Sequence, residues 1–516
     1  MLKQKISPPA FPLLRRLSTT AAAAGFSLNL PKLEPSKDAE LISQILVTNH
    51  NPFHFTESSL QLHGISLSPH LIDQTLLRLR HNSKIALSFF QHLRSLPSPT
   101  TTLTSFNLII DILGKVRQFD VVRQLIVEME QQEEKNLKPS SETFLILVKR
   151  LIAAGLTRQA VRAFDDAPSF LDSNRPPLGL DEFSFLLDTL CKYGHTKIAV
   201  GVFNERRAEL GCDEKVYTIL IAGWCKLRRI DMAERFLAEM IESGIEPNVV
   251  TYNVLLNGIC RTASLHPEER FERNVRNAEK VFDEMRERGI EPDVTSFSIV
   301  LHMYSRAHKS ELSLDKLKLM KARGISPTVE TYTSVVKCLC SCGRLEEAEE
   351  LLETMVGDGI SPSSATYNCF FKEYRGRKDV AGAMNLYRKM KGGLCKPNTN
   401  TYNVLLGTFI NLGKMEIVGE IWDDLKGSET GPDLDSYTCL VHGLCGKDKW
   451  KEACGYFVEM IERGFLPQKL TFETLYKGLI QSNKMRTWRR LKKKLDEESI
   501  TFGSEFQRYP FEPYKR

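Results

Sequence analysis

The clearest pattern in the chain is an apolar stripe that recurs at helical spacing and stops at a glycine. Residues 329–363 contain two such stripes. Their apolar positions are Tyr332, Val335, Val336 and Leu339, followed by Leu345, Ala348, Leu351, Leu352 and Met355. Steps of three and four residues are typical of amphipathic helices. Gly343 separates the stripes and Gly359 with Pro362 follows the second, so each helix has a stop signal. A helical hairpin is predicted.

This hairpin recurs with a period of 35 residues. Prolines keep the interval at Pro292, Pro327, Pro362, Pro397, Pro432 and Pro467, and aromatic residues keep it at Phe297, Tyr332, Tyr367, Tyr402, Tyr437 and Phe472. One hairpin cannot bury both of its stripes, whereas a stack of hairpins buries a continuous core. The predicted fold class is all-α: a right-handed superhelical solenoid of tandem 35-residue helix-turn-helix repeats.

The same register predicts ten repeats between two caps. The repeats span residues 103–140, 141–179, 180–213, 214–248, 249–293, 294–328, 329–363, 364–398, 399–433 and 434–468. The excess in the long fifth repeat lies around residues 262–277 and is expected to be a surface loop, because loop length costs little free energy. Residues 34–102 are predicted to form a helical cap, residues 469–503 a degenerate repeat, and residues 504–516 a tail.

The first 33 residues have the composition of an organelle transit peptide. They are rich in Ser, Thr and Ala, and they contain five basic residues but no acidic one. The string Arg15-Arg16-Leu17-Ser18 is similar to the region where mitochondrial presequences are cleaved. The mitochondrion is therefore the predicted location, with the chloroplast, or an uncleaved basic tail, as alternatives. No apolar run reaches the roughly 20 residues of a membrane span, so membrane insertion is not expected.

Charge and cysteine content change this picture little. Five of the positive charges behind the formal net charge of +6 lie in the N-terminal segment, so the remaining chain is nearly neutral and lacks a general polyanion-binding composition. Five cysteines share one position of the repeat, where small apolar residues are expected: Cys191, Cys225, Cys260, Cys340 and Cys445. The sequence contains no CxxC pair, so neither a metal site nor a cofactor is predicted.

Catalytic motifs are incomplete. His266-Pro267-Glu268 matches the first half of a zinc deaminase motif, but the CxxC half is missing. A phosphate-binding GxxxxGK[ST] loop is also missing. We therefore expect no catalytic residues, and we predict that the chain is not an enzyme.

The recurring first-helix sequence identifies a family resemblance. The string Val250-Thr251-Tyr252-Asn253-Val254-Leu255-Leu256-Asn257-Gly258-Ile259-Cys260, preceded by Pro247-Asn248, resembles the pentatricopeptide repeat. Its core recurs as Thr366-Tyr367-Asn368 and Thr401-Tyr402-Asn403. The resemblance covers roughly residues 103–503 and differs from the 34-residue tetratricopeptide repeat, which mostly binds proteins. It implies binding of single-stranded RNA at about one nucleotide per repeat.

The resemblance also implies which residues read bases: the polar residue after the first-helix aromatic, paired with the last residue of the repeat. The amides, hydroxyls and carboxylates at these positions suit hydrogen bonds with base edges. The pairs are Asn107 with Ser140, Ser184 with Asp213, Thr218 with Asn248, Asn253 with Asp293, Ser298 with Thr328, Thr333 with Ser363, Asn368 with Asn398, Asn403 with Asp433, and Thr438 with Gln468. The pair Leu145 with Gly179 is expected to read no base. The implied RNA, 5′ to 3′, resembles C-x-G-A-U-R-R-Y-U-x. The alternative is that these residues only cap helices.

Two further positions bear on affinity. Basic residues at one shared first-helix position are predicted to contact phosphates: Lys115, Lys192, Lys226, Arg261 and Arg306. Their absence from later repeats predicts that backbone contacts are concentrated in the N-terminal half. The residue three places before the base reader is usually an aliphatic wedge in the family, as Val250 is here. Glu330, Asn400 and Asp435 depart from that pattern, which weakens the expected stacking on bases.

The predicted function is sequence-selective binding of single-stranded organellar RNA, affecting stability, processing, splicing or translation by passive occupation. Protein partners in organellar RNA processing are a further option, and the sequence assigns no oligomeric state. The alternative function is a protein-binding scaffold in the organelle. The recurrent Asn and Thr favour RNA, because a peptide groove has no reason to place them in that register.

Overall fold

The computed structural model describes residues 28, 30–48, 66–96, 101–131, 137–170, 178–262, 268–393 and 395–497. All regular structure in these ranges is helical, with no strand. The chain divides into two compact units, Met1–Glu291 and Pro292–Arg516. The proposed transit peptide lies almost entirely outside the described residues.

In the described part of the first unit, three helices precede five hairpins. The three leading helices are Lys37–Thr48, Pro69–Arg78 and Ser83–Ser95. The first helices of the hairpins are Leu103–Lys115, Ser141–Ala153, Leu180–Lys192, Glu214–Lys226 and Val249–Thr262. Their second helices are Phe119–Glu130, Thr157–Phe170, Thr196–Leu210, Ile230–Glu242 and Glu268–Glu287.

Six hairpins make up the part of the second unit that the structure describes. Their first helices are Val294–Ala307, Val329–Ser341, Ser364–Arg377, Thr399–Asn411, Leu434–Cys445 and Lys469–Gln481. Their second helices are Ser310–Ala322, Leu345–Gly357, Val380–Gly392, Met415–Lys426, Trp450–Glu462 and Met485–Glu497. Within each unit, the first helix of a hairpin packs against its own second helix and against the first helix of the next hairpin. The all-α fold of tandem helical hairpins is confirmed.

In the repeat hairpins whose inner turn the structure describes, that turn contains a residue with a left-handed backbone. Gly343, the predicted stop of the Val329–Ser341 helix, has φ = 76°. Gly359, after the second helix of the same hairpin, has φ = 77°. Glycine takes this conformation without steric cost because it has no Cβ. In other hairpins a non-glycine residue such as Arg228 (φ 62°) stands at the inner turn, so the packing of the two helices holds the conformation there.

The core follows the periodic positions. The first-helix aromatics Tyr252, Phe297, Tyr332 and Tyr437 are completely buried. The recurrent small residue of the second helix, exemplified by Ala348, is also completely buried, as its role in close helix packing requires. Rings of successive hairpins meet edge to face, because this arrangement places the positive edge of one ring against the negative face of another. The Trp422 and Tyr437 ring centroids, for example, are 5.0 Å apart.

The prediction of a surface loop within the fifth hairpin is largely wrong. Residues 268–287 form one continuous helix of 20 residues, so most of the excess lengthens the second helix toward its N-terminus. The segment is rich in Glu and Arg, which have high helix propensity and need no buried partner. The residues His266 and Pro267 of the incomplete deaminase motif lie outside the described residues.

The cysteines occupy the core, as predicted. Cys191, Cys225, Cys260, Cys340 and Cys445 are all buried. Burial raises the pKa of Cys191 and of Cys225 to about 12, so these thiols stay protonated and neutral. The side chains therefore act as small apolar packing groups.

Candidate nucleic-acid interface

The last residue of each repeat is the N-cap of the following first helix. Asp213 Oδ1 accepts a hydrogen bond from the Val216 backbone N–H at 2.8 Å, and Asp433 Oδ1 accepts one from Ser436 at 2.7 Å. Side-chain caps of this kind occur at Ser140, Asp213, Asn248, Asp293, Thr328, Ser363, Asn398 and Asp433. These residues therefore do cap helices, whereas Gln468 makes no side-chain cap; whether capping is their only role is not decided by these contacts.

Capping does not use every polar atom of these side chains. Asp433 uses Oδ1 for the cap and is itself exposed. Burial of the carboxyl raises the pKa of Asp433, but hydrogen bonds from Ser436 and Asn403 outweigh that effect and leave the pKa below its ordinary value. Asp433 is therefore an anion at neutral pH, and its second oxygen is an acceptor that the cap does not use.

Each base-reading candidate of a first helix occupies the fifth position of that helix. At this position it faces the next repeat. Asn403 Nδ2 donates to Asp433 Oδ1 at 3.3 Å, so the structure brings this sequence-predicted pair into direct contact. Three other fifth-position residues instead contact the hydroxyl at the third position of the next first helix. These contacts are Asn107 with Thr143 at 2.8 Å, Thr218 with Thr251 at 2.7 Å, and Thr333 with Thr366 at 2.7 Å.

The fifth-position residues differ in accessibility. Asn107, Ser184 and Asn368 are buried, while Thr218, Asn253, Ser298, Thr333, Asn403 and Thr438 are partly exposed. The hydroxyls of Ser184, Ser298 and Thr438 donate to the backbone carbonyl one turn earlier in their own helix. Leu145 is completely buried, and Gly179 is the N-cap of the following first helix. That this repeat reads no base stays a prediction. Asn253 belongs to the first unit and Asp293 to the second, so this pair stays a prediction.

Two amide oxygens at the fifth position are buried without a hydrogen-bond partner in the described part of the chain: Oδ1 of Asn368 and Oδ1 of Asn403. An unsatisfied buried acceptor costs on the order of 1–3 kcal/mol, so such atoms call for a structural or functional reason. A hydrogen-bond donor on a ligand that enters beside the first helices would remove that cost.

The predicted phosphate-contacting residues are engaged within the protein. Lys115 Nζ lies 3.2 Å from Asp111 and Lys192 Nζ lies 2.5 Å from Asp188, one turn earlier on the same helix. Lys226 donates to the backbone carbonyl of Lys192. Arg261 and Arg306 also have interaction partners. The N-terminal row is therefore less positive than the sequence alone indicated, because Asp111 and Asp188 offset two of its charges.

Sequence reasoning missed a second basic position, the ninth residue of the first helix. Lys337 and Lys372 occupy it in the second unit and are exposed. Burial lowers the pKa of His302 to about 4, with further lowering by the positive charges of Lys337 and Arg306. Lys337 and Lys372 therefore place positive charge on the first helices of the second unit, beside a neutral His302. Comparing ninth positions, one turn before the predicted phosphate row, would have revealed it.

The predicted wedge positions are exposed. Val250 keeps 41% of its surface accessible, a large fraction for an aliphatic side chain. Glu330, Asn400 and Asp435 are also exposed at the equivalent second position. The site thus has an outer row at the second position and an inner row at the fifth position. No helix that the structure describes has the length and apolar character of a membrane span.

The fold and this arrangement define a protein of tandem helical hairpins with a row of polar side chains along its first helices. The PPR repeat family matches residues 212–261, 327–376, 365–411, 397–446 and 432–481. The pentatricopeptide repeat domain matches residues 271–307 and 280–343. A mitochondrial pentatricopeptide repeat-containing protein of Arabidopsis thaliana is 86% identical over 518 residues, covering 100% of both chains. The chain belongs to the pentatricopeptide repeat family.

Other similarities are weaker. A second mitochondrial pentatricopeptide repeat-containing protein of Arabidopsis thaliana is 29% identical over 46% of this chain and 41% of its own. The crystal structure of the maize pentatricopeptide repeat protein PPR10 aligns with a TM-score of 0.37 at 18% identity, covering 96% of this chain and 78% of the maize chain. Yeast Rmd9p in complex with a 16-nt target RNA aligns with a TM-score of 0.43 at 11% identity, covering 91% and 98%. The mitochondrial location of the 86% identical relative bears out the location predicted for this chain.

Proposed function

We propose that this protein binds single-stranded RNA in the mitochondrion and selects its target by base identity, one nucleotide per repeat. The family to which the chain belongs implies the RNA ligand. The bound RNA would be held along the first helices, with base edges at the fifth position and the cap residue. By occupying its site, the protein would control the stability, processing, splicing or translation of a transcript.

The observation that carries the proposal is the Asn403–Asp433 contact. The amide nitrogen of Asn403 is held by the carboxylate of Asp433, while its amide oxygen has no partner in the described part of the chain. Uracil presents an N3–H donor between two carbonyl acceptors, so it fits an orphan acceptor beside an amide donor. A base that draws the Asn403 amide outward would satisfy a polar atom that the free protein leaves buried and unsatisfied, which links affinity to base identity.

Phosphate contacts would supply affinity without sequence preference. The candidates are the residues Lys115, Lys192, Lys226, Arg261 and Arg306, and also Lys337 and Lys372, which the structure adds. We propose that binding is passive and that the chain carries no catalysis of its own. This proposal rests on the sequence, which completes neither the deaminase motif nor a phosphate-binding loop.

A binding experiment tests the proposal with the full-length protein. Fluorescence anisotropy would compare a ten-nucleotide RNA of the implied sequence with one in which the ninth base, uracil, is replaced by adenine. The wild-type protein is expected to prefer uracil on the order of tenfold, as one good base contact allows. Asn403→Ala should abolish this preference.

A matched control is Asn411→Ala, which changes the same residue type at the exposed far end of the same helix. This variant should keep the preference for uracil. Equal binding of both RNAs by the wild-type protein would refute base reading at this repeat. Absence of RNA binding even at low salt would refute the RNA proposal and favour a protein-binding scaffold.

A further inference from the structure

The hairpin of Pro69–Arg78 and Ser83–Ser95 precedes the first predicted repeat, but it keeps the repeat's register. Its first helix begins 34 residues before that of the next hairpin at Leu103. Ser68 caps it by accepting from the Leu71 backbone N–H, and Thr102 caps the next first helix in the same way. Ile72 replaces the usual aromatic at the fourth position and is completely buried, so the aromatic signature is absent while its packing role is kept.

The contacts of this hairpin match those between the later repeats. Ser105, at the third position of the next first helix, donates its hydroxyl to Asp73 Oδ1 at 2.6 Å. Asp73 stands at the fifth position of the Pro69–Arg78 helix. The same third-to-fifth contact joins Thr143 to Asn107 at 2.8 Å. The packing matches as well, since the Phe90 and Phe106 rings meet edge to face at 4.9 Å between centroids.

The groups around Asp73 also correspond to a reading site. Asp73 is partly exposed, and Thr102 is the cap residue that pairs with it in the repeat register. His70 stands at the exposed second position, where the other repeats carry Val250 and its equivalents. His70 Nε2 lies 3.4 Å from Glu34, which holds the ring beside the first turn. A planar ring at this position can stack on a base, as aromatic side chains do in RNA complexes.

The chemistry of a carboxylate narrows the choice of base that Asp73 can bind. An ionised carboxylate has only acceptors, and one oxygen of Asp73 is already occupied by Ser105. Guanine is the one base whose Watson–Crick edge carries two adjacent donors, N1–H and the exocyclic amino group. The edges of adenine, cytosine and uracil place an acceptor next to each donor, and that acceptor would face a carboxylate of the same sign.

We propose that the hairpin of Pro69–Arg78 and Ser83–Ser95 is an additional RNA-binding repeat in which Asp73 and Thr102 receive a guanine, one nucleotide 5′ of the base assigned to Asn107 and Ser140. The target then becomes G-C-x-G-A-U-R-R-Y-U-x, eleven nucleotides long. His70 flanks the added base. This inference rests on the proposed RNA binding and extends it by one nucleotide of defined identity.

The test uses the full-length protein and five RNAs: the ten-nucleotide target, and the same target preceded by G, A, C or U. The G-extended RNA is expected to bind on the order of tenfold more tightly than the other three extensions. Asp73→Ala should equalise the four extensions, while the preference for uracil at the ninth base is kept. Asp73→Asn retains an acceptor for Ser105 and so protects the fold, yet it should also lose the preference for guanine.

The control is Asp120→Ala, which removes the same charge from a fully exposed position on the next hairpin. It should keep the preference for guanine. Equal affinity for the four extensions in the wild-type protein, together with normal selectivity at the ninth base, would overturn this inference alone. Failure to bind the ten-nucleotide RNA would overturn the proposed function and this inference with it.

Discussion

In some hairpins, close packing between successive first helices depends on a glycine at the tenth position, as at Gly223 and Gly258. A Cβ added to Gly258 would lie 2.4 Å from Sγ and 2.7 Å from Cβ of Cys225 in the preceding first helix. Gly223 makes the same contact with Cys191, where the added Cβ would lie 2.5 Å from Sγ. Ordinary separations between such atoms are roughly 3.5–4.0 Å, so a methyl group does not fit without displacing one helix.

Gly258→Ala therefore sets two effects against each other. Replacing a helical glycine by alanine stabilises by about 1 kcal/mol, while overpacking a tight core costs about 1–3 kcal/mol. The expected net change is a destabilisation of up to about 2 kcal/mol. Gly201→Ala is the matched control, because Gly201 also lies within a helix of the same unit but has no atom within 4 Å of the added Cβ. This variant should be about 0.5–1 kcal/mol more stable than the wild-type protein.

Urea unfolding followed by circular dichroism at 222 nm measures both changes in stability. Repeat arrays need not unfold in one step, so the midpoint of the first transition is compared between the variants and the wild-type protein. The double variant Cys225→Ala with Gly258→Ala removes the sulfur but leaves the Cβ contact at 2.7 Å, so it should recover part of the loss. If Gly258→Ala is as stable as Gly201→Ala, the close approach of these helices does not limit packing and the argument fails.

Two further predictions concern charge. Replacing both Lys337 and Lys372 by Gln should reduce the log–log salt slope of RNA binding by about 1.4, at roughly 0.7 per phosphate. Lys389→Gln, on a second helix, should leave the slope unchanged. A slope that does not respond to the double change would exclude phosphate contacts at Lys337 and Lys372. Burial lowers the pKa of His302 to about 4 in the folded protein, from an ordinary value of 6.5. Between these two pH values the unfolded chain binds more protons than the folded protein. The free energy of unfolding should therefore fall as the pH drops from 6.5 to 4. His302→Gln should flatten that fall in urea unfolding, and an identical pH dependence in both proteins would contradict the burial argument.

The sequence was informative wherever burial alone decides the structure. The aromatic and alanine positions are periodic because each repeat buries the same stripe, and Tyr332 and Ala348 occupy the core as predicted. Polar partners were harder to predict, because they lie on different repeats. Asp433 both caps a helix and accepts from Asn403 because successive first helices pack together there. The Lys115–Asp111 pair, by contrast, lies one turn apart on a single helix, so its spacing was readable in the sequence. Ile72 hid the register of its hairpin, since an aliphatic residue fills the space of an aromatic one.

Capping at the last residue of a repeat could be established only from the structure, while base reading at that residue stays a proposal. A cap uses one oxygen of an Asp side chain, which leaves the other for a ligand, as at Asp433. The excess residues after Thr262 were expected to be a loop because they interrupt the period. They instead extend a helix, because period and helix propensity are independent properties of a sequence.

Selection from a pool of random RNA by the full-length protein tests the central claim most directly. The account predicts enrichment of G, A and U at three consecutive positions and of U four positions further along, with loss of the last preference in Asn403→Ala. It also predicts weaker binding as salt rises. RNA recovered without base preference at these positions, or no RNA recovered at low salt, would contradict the account.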